Sequence, residues 1–141
     1  MVRVELTIEI ARSPDEVFAL LTDVDRLPEW QESALESRAD GPLAKGVRIR
    51  ERRRFLGREA ETEFEVNVYE PGRHLALRTL HGPVDLSIDH VLEKTDGQTK
   101  LFVTAKARPS GLLRLAGPAV AARARRELRS DFERLKELLE E

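Results

Sequence analysis

Cysteine is absent from the 141 residues, which excludes disulfides and thiol chemistry and leaves the cysteine-containing zinc motifs without ligands. Long apolar runs are missing too. Nowhere do the roughly 20 consecutive apolar residues of a membrane span occur, and Met1-Val2-Arg3-Val4-Glu5 has no apolar signal core. The expectation is a soluble, cytoplasmic protein without stable membrane insertion. No Gly/Ser-rich linker, internal repeat or low-complexity tract divides the chain. At 141 residues it suffices for one sizeable core and is too short for two ordinary domains, so a single domain over residues 1–141 is expected. Net charge is close to balance at −2, although 35% of residues are charged, and this argues against a general affinity for nucleic acid. Arginine supplies 19 of the 24 basic residues, a usage common to GC-rich and heat-adapted sources.

What the chain does contain is strong periodicity. Val2, Val4, Leu6, Ile8 and Ile10 alternate with Arg3, Glu5, Thr7 and Glu9, the pattern of a half-buried antiparallel strand. A helix then starts at Ser13-Pro14-Asp15-Glu16: the serine caps, the proline fits the first position where no N–H is needed, and Glu16 completes a capping box. Val17, Leu20, Leu21 and Val24 share a helical face, Pro28 forbids continuation, and a second short turn carries Leu27 and Trp30. Strands are expected near 33–39, 47–55, 58–69, 73–81, 84–94 and 99–108, separated by turns at Asp40-Gly41-Pro42, 55–58, Pro71-Gly72, Gly82-Pro83 and Asp96-Gly97. The last segment is a long helix. Strands in a meander with helices inserted early and appended late define an α+β architecture.

The segment Ser13, Pro14, Glu16, Val17, Phe18, Leu21, Asp23, Pro28 and Trp30 resembles the opening of the START-like (SRPBCC) superfamily, which includes polyketide cyclase/dehydrase, lipid-transfer and pollen-allergen-like proteins. The order of elements fits over the whole chain. The resemblance implies a helix-grip fold, in which a curved seven-stranded antiparallel sheet wraps around the C-terminal helix and encloses a cavity. It does not say what enters that cavity, because each matching residue has an ordinary structural role as cap, core or packed indole.

The arginine run Arg48, Arg50, Arg52, Arg53, Arg54 has the look of a nucleic-acid patch, but a turn at 55–58 sets Arg54, Arg52, Arg50 and Arg48 opposite Glu59, Glu61, Glu63 and Glu65. The charges then cancel across a solvated hairpin, and no nucleic-acid partner is expected. That register turns Val47, Ile49, Glu51, Arg53 and Phe55 inward, facing with Ala60, Thr62, Phe64, Val66 and Val68. Glu51 and Arg53 are the exceptions on an apolar face. Two such charges pair with each other, bind something, or sit at an open rim. Farther on, Leu75, Leu77, Thr79 and His81 share a face, and the Asp96-Gly97 turn pairs Leu86, Ile88, His90 and Leu92 with Ala107, Ala105, Val103 and Leu101. His81 and His90 are therefore expected to face the cavity, His90 more so because its neighbours are apolar, while His74 faces away. The three histidines lack metal-ligand spacing, so neither a metal nor a cofactor is expected.

In the C-terminal segment the stripe Ala121, Ala124, Leu128, Phe132, Leu135, Leu139 keeps helical spacing, small residues first and large ones after. Small residues there, with Gly111, Ala116, Gly117, Ala119 and Ala122, leave room beside the sheet. Gly117-Pro118 breaks or restarts the helix, which gives Leu112, Leu113 and Leu115 either a lid-like position or simple rim packing. The functional expectation is binding of a small hydrophobic or amphipathic molecule between sheet and helix, by a monomer or homodimer. Its binding set is Glu51, Arg53, Thr62, Phe64, Thr79, His81, His90, Val103, Ala121 and Ala124. The alternatives are a cyclase or dehydratase in which His90 or His81 moves a proton and Glu51 or Arg53 steadies an enolate, and a protein-interaction module resembling the chaperone-activator branch of the superfamily.

Overall fold

The computed structural model describes residues 2–55, 57–109 and 117–141. Seven strands form one antiparallel sheet: β1 (Val2–Ile10), β2 (Ala34–Ala39), β3 (Arg48–Phe55), β4 (Arg58–Glu70), β5 (His74–His81), β6 (Val84–Thr95) and β7 (Gln98–Pro109). Their order, β1-β7-β6-β5-β4-β3-β2, is a meander in which the first strand closes onto the last. Between β1 and β2 lie helix α1 (Pro14–Leu21) and a 3₁₀ segment (Val24–Glu29), and helix α2 (Gly117–Glu140) follows β7. This is the helix-grip architecture.

Local chemistry accounts for the element boundaries. Ser13 Oγ accepts the Glu16 N–H at 3.3 Å, and the Glu16 carboxylate in turn accepts the Ser13 N–H, a reciprocal cap that starts α1. Asp96 and Gly97 both adopt left-handed φ, 52° and 79°, which lets a two-residue turn join β6 to β7 with Thr95 opposite Gln98. In α2, Pro118 occupies the first turn, where its missing N–H leaves no hydrogen bond unmade. The core gathers α1, the 3₁₀ segment and the lower half of α2 on one face of the sheet. Ile10, Val17, Leu101 and Leu135 are fully buried, and Trp30 and Phe132 nearly so.

Two bulges redirect side chains that strict alternation places inward. In β4 the register moves from Val66 opposite Leu77 to Val68 opposite Ala76, which inserts Asn67 and brings Tyr69 inside instead of Val68. The Tyr69 ring meets Phe18 edge-on at 5.5 Å. In β5 the register moves from Thr79 opposite Phe64 to His81 opposite Glu63, which inserts Leu80 and puts His81 on the outer, exposed face. The expectation that His81 faces the cavity is thereby corrected. On α2 the residues bordering the space beneath the helix include Val120, Ala124, Leu128, Asp131 and Phe132, and half-buried Ala121 is not among them. Gly111, Leu112, Leu113, Leu115 and Ala116 lie outside the described residues.

The arginine hairpin has the expected backbone register, with Arg48, Arg50, Arg52 and Arg54 opposite Glu65, Glu63, Glu61 and Glu59. Its ion pairs run partly along the diagonal, however. Arg48 reaches Glu63 at 3.2 Å and Arg52 reaches Glu59 at 2.5 Å, while Arg50 also approaches Asp40 at 3.5 Å. Long side chains on a twisted sheet reach the neighbour two residues along as readily as the one opposite.

Candidate functional site

A cavity of about 260 Å³ lies between the concave face of the sheet and α2. Its walls are mostly apolar: Phe64, Leu75, Leu77 and Ile88 from the sheet, Leu27 from the 3₁₀ segment and Trp30 at its end, and Leu128 and Phe132 from the helix. Of the expected binding set, Glu51, Arg53, Thr62, Phe64, Thr79, His90 and Ala124 border this space. Val103 is 1% exposed and belongs to the core rather than to the wall. His81, on the outer face, and half-buried Ala121 are not part of its wall.

Glu51 and Arg53 pair with each other. They are two apart on one strand and so share a face, and the Arg53 Nε donates to the Glu51 carboxylate. The guanidinium also donates to Ser33 Oγ at 2.9 Å and to Gln31 Oε1. With the Glu51 side chain 3% exposed and that of Arg53 21%, the pair is a charge-compensated buried unit whose donors on three nitrogens are already engaged. Thr79 is likewise committed: its hydroxyl donates to the Leu86 carbonyl at 3.0 Å and accepts the Leu86 N–H at 3.1 Å, continuing the β5–β6 ladder past Arg78. Thr62 Oγ1 and the Trp30 indole N–H are buried with no partner among the described residues.

His90 is the most informative cavity residue. It is 3% exposed, its cross-strand neighbours are Leu75 and Val103, and its ring lies 5.8 Å from that of Phe132, which packs in turn on Trp30 at 5.2 Å. Nδ1 sits 3.0 Å from the Leu75 carbonyl oxygen, which can only accept, so Nδ1 carries the proton. Burial pushes the imidazole pKa from 6.5 down to about 4, against the smaller opposing effect of that hydrogen bond. At neutral pH the ring is uncharged, with a lone pair on Nε2.

Asp131 went unremarked in the sequence. It is 8% exposed on α2 and borders the cavity, and its Oδ1 accepts the Glu32 N–H at 3.2 Å. Burial raises its pKa from 3.8 to about 7, with the Glu32 hydrogen bond and the charge of Arg53 acting the other way. The available signal was an acid inside the Leu128–Leu135 stripe. Glu127 and Arg123 stand one and two turns before it in the same row and also border the cavity.

A curved antiparallel sheet gripping a long helix around an apolar cavity defines a ligand-binding domain of the START/polyketide cyclase type. Residues 1–140 match the family described as polyketide cyclase / dehydrase and lipid transport, and the chain belongs to that family. Among curated proteins none matches. Solved structures share the fold at low identity. A Thermus thermophilus protein superposes with a TM-score of 0.84 at 14% identity, over 97% of this chain and 96% of that one. A START superfamily protein from Mycobacterium smegmatis does so at 0.83 and 16%, over 98% and 97%. The Zhui aromatase/cyclase from Streptomyces sp. R1128 gives 0.81 and 19%, over 98% and 93%. No helix among the described residues is long and apolar enough to cross a membrane.

Proposed function

We propose that the protein is a carrier that binds one small apolar or amphipathic molecule between sheet and α2. The observation that carries this reading is the apolar cavity of about 260 Å³, bordered on one side by a self-compensated polar cluster. Capture is by desolvation: apolar ligand surface leaves water for a wall of Leu, Ile and Phe side chains, and the few polar groups set orientation. The neutral fluorescent probe N-phenyl-1-naphthylamine should bind the native protein. Ala124→Phe, which fills the cavity from the helix, should weaken that binding at least about tenfold, whereas Ala122→Phe, exposed on the same helix and outside the cavity wall, should leave it unchanged. Equal effects of the two substitutions would place the binding site elsewhere.

A second reading, proton-transfer catalysis of the cyclase or dehydratase kind, is favoured by one feature: a histidine lone pair and a carboxyl whose pKa is near neutrality border the same space. In an enzyme, His90→Asn would lower turnover by about 10²- to 10⁴-fold with little change in ligand affinity. In a carrier the loss would appear in affinity.

A further inference from the structure

The cavity's polar groups differ in what they can still offer a ligand. The Arg53 guanidinium is held by Glu51, Ser33 and Gln31, so it presents no uncompensated positive charge. Thr79 is spent on the Leu86 backbone. The Trp30 N–H and Thr62 Oγ1 are sealed from water. His90 is different. Its Nδ1–H is committed sideways to the carbonyl of the adjacent strand, which turns the far edge of the ring, with Nε2, off the sheet toward the cavity that the residue borders. No donor among the described residues engages Nε2. The inner end of the cavity therefore offers a lone-pair acceptor beside the Phe132 ring, with only apolar Leu75 and Val103 flanking it across the strands.

Building on the carrier reading above, we infer that the ligand is uncharged at its buried end and gives a hydroxyl hydrogen to His90 Nε2. A carboxylate, ketone or ether placed there would set its own lone pairs against that of Nε2, and a carboxylate would also find the Arg53 guanidinium already paired with Glu51. A matched hydrogen-bonding group discriminates strongly against analogues lacking it, because the unmade bond leaves a buried polar atom without a partner. The protein therefore selects alcohols or phenols with an apolar body over fatty-acid-like anions.

Three probes of one shape test this: 2-naphthol, 2-methoxynaphthalene and 2-naphthoate, titrated calorimetrically at pH 7 into the intact protein and into His90→Phe. The parent should bind 2-naphthol about tenfold more tightly than the methyl ether, and the carboxylate most weakly. In His90→Phe the preference for the naphthol over the ether should vanish. Equal affinities in the parent, tighter binding of the carboxylate, or a naphthol preference surviving in His90→Phe overturns the inference while leaving the carrier reading intact. Failure of all three probes to bind the parent overturns both. An independent check uses the parent alone: ¹⁵N spectra at pH 7 should show His90 protonated on Nδ1, with the Nε2 resonance moving on addition of 2-naphthol but not of the ether. An Nε2-protonated or doubly protonated ring refutes the inference even if His90→Phe fails to fold.

Discussion

Two buried ionisable groups on opposite walls of the cavity should give the protein a pH dependence in which large opposing contributions nearly cancel. His90 has a folded-state pKa of about 4 against 6.5 when unfolded. Its contribution to stability is present above pH 6.5 and is lost as pH falls through about 4, because the unfolded chain takes up a proton that the folded ring refuses. At 1.36 kcal/mol per pH unit the full loss is about 3 kcal/mol. Asp131 runs the other way. Its carboxyl goes from 3.8 unfolded to about 7 folded, so its contribution is fully present below pH 3.8 and is lost as pH rises through 7. The same conversion gives about 4 kcal/mol, reduced to about 2 kcal/mol because one side of the carboxyl opens on the cavity. Asp89 and His74 act on His90 with smaller and mutually opposing effects. Urea unfolding of the parent, His90→Asn and Asp131→Asn between pH 4 and 7.5 separates the two, since differences from the parent cancel the remaining titrating groups. Over the fall from pH 7.5 to 4, His90→Asn should gain about 3 kcal/mol relative to the parent, and Asp131→Asn should lose about 2 kcal/mol. A pH-independent offset for His90→Asn would mean that the folded ring titrates as an ordinary histidine, and the tautomer argument would fall with it.

The Glu51–Arg53 pair should behave as a unit: Glu51→Met should cost about 2 kcal/mol, softened by the Ser33 and Gln31 acceptors left to Arg53, and Arg53→Met about 3 kcal/mol, since it strands the deeper carboxylate. The double variant should cost less than either single one, and additive losses in the denaturation cycle would show that the charges are independently solvated. On the outer face of the hairpin, replacing Arg50 and Arg52 together by Gln should leave the urea midpoint at moderate salt unchanged within error, because both side chains are more than two-fifths exposed. A clear drop in midpoint would show the ladder to be structural.

Much of the fold was legible from residues acting on their near neighbours. The Ser13–Glu16 cap, the Asp96-Gly97 turn and the alternation of β1 each depend on contacts within a few residues or on one backbone conformation. So did the hairpin register of β3 and β4, since one turn fixes every pair behind it. Glu51 and Arg53 stood out for the same reason, as charges on the apolar side of a strand, and their mutual pairing follows from a spacing of two. What failed in the sequence reading depended on single inserted residues and on where α2 meets the sheet. One extra residue at Leu80 sends His81 outward, one at Asn67 exchanges Val68 for Tyr69, and the seating of α2 borders the cavity with Val120 and Asp131 but not with Ala121. A bulge or the seating of a helix is chosen by the packing of distant elements against one another, and local periodicity carries little record of it.

The sequence by itself therefore determined the element order, the antiparallel meander, the cap of the first helix and the charge-balanced hairpin, because these follow from short-range sterics, turn chemistry and hydrophobic period. Only the tertiary structure decided which polar groups face the cavity and in what state. The His90 tautomer depends on a carbonyl fifteen residues away, and Asp131 owes its raised pKa to burial against elements as distant as the Glu32 segment, ninety-nine residues away. Desolvation and hydrogen-bond direction belong to the assembled cavity, where sheet, 3₁₀ segment and helix meet.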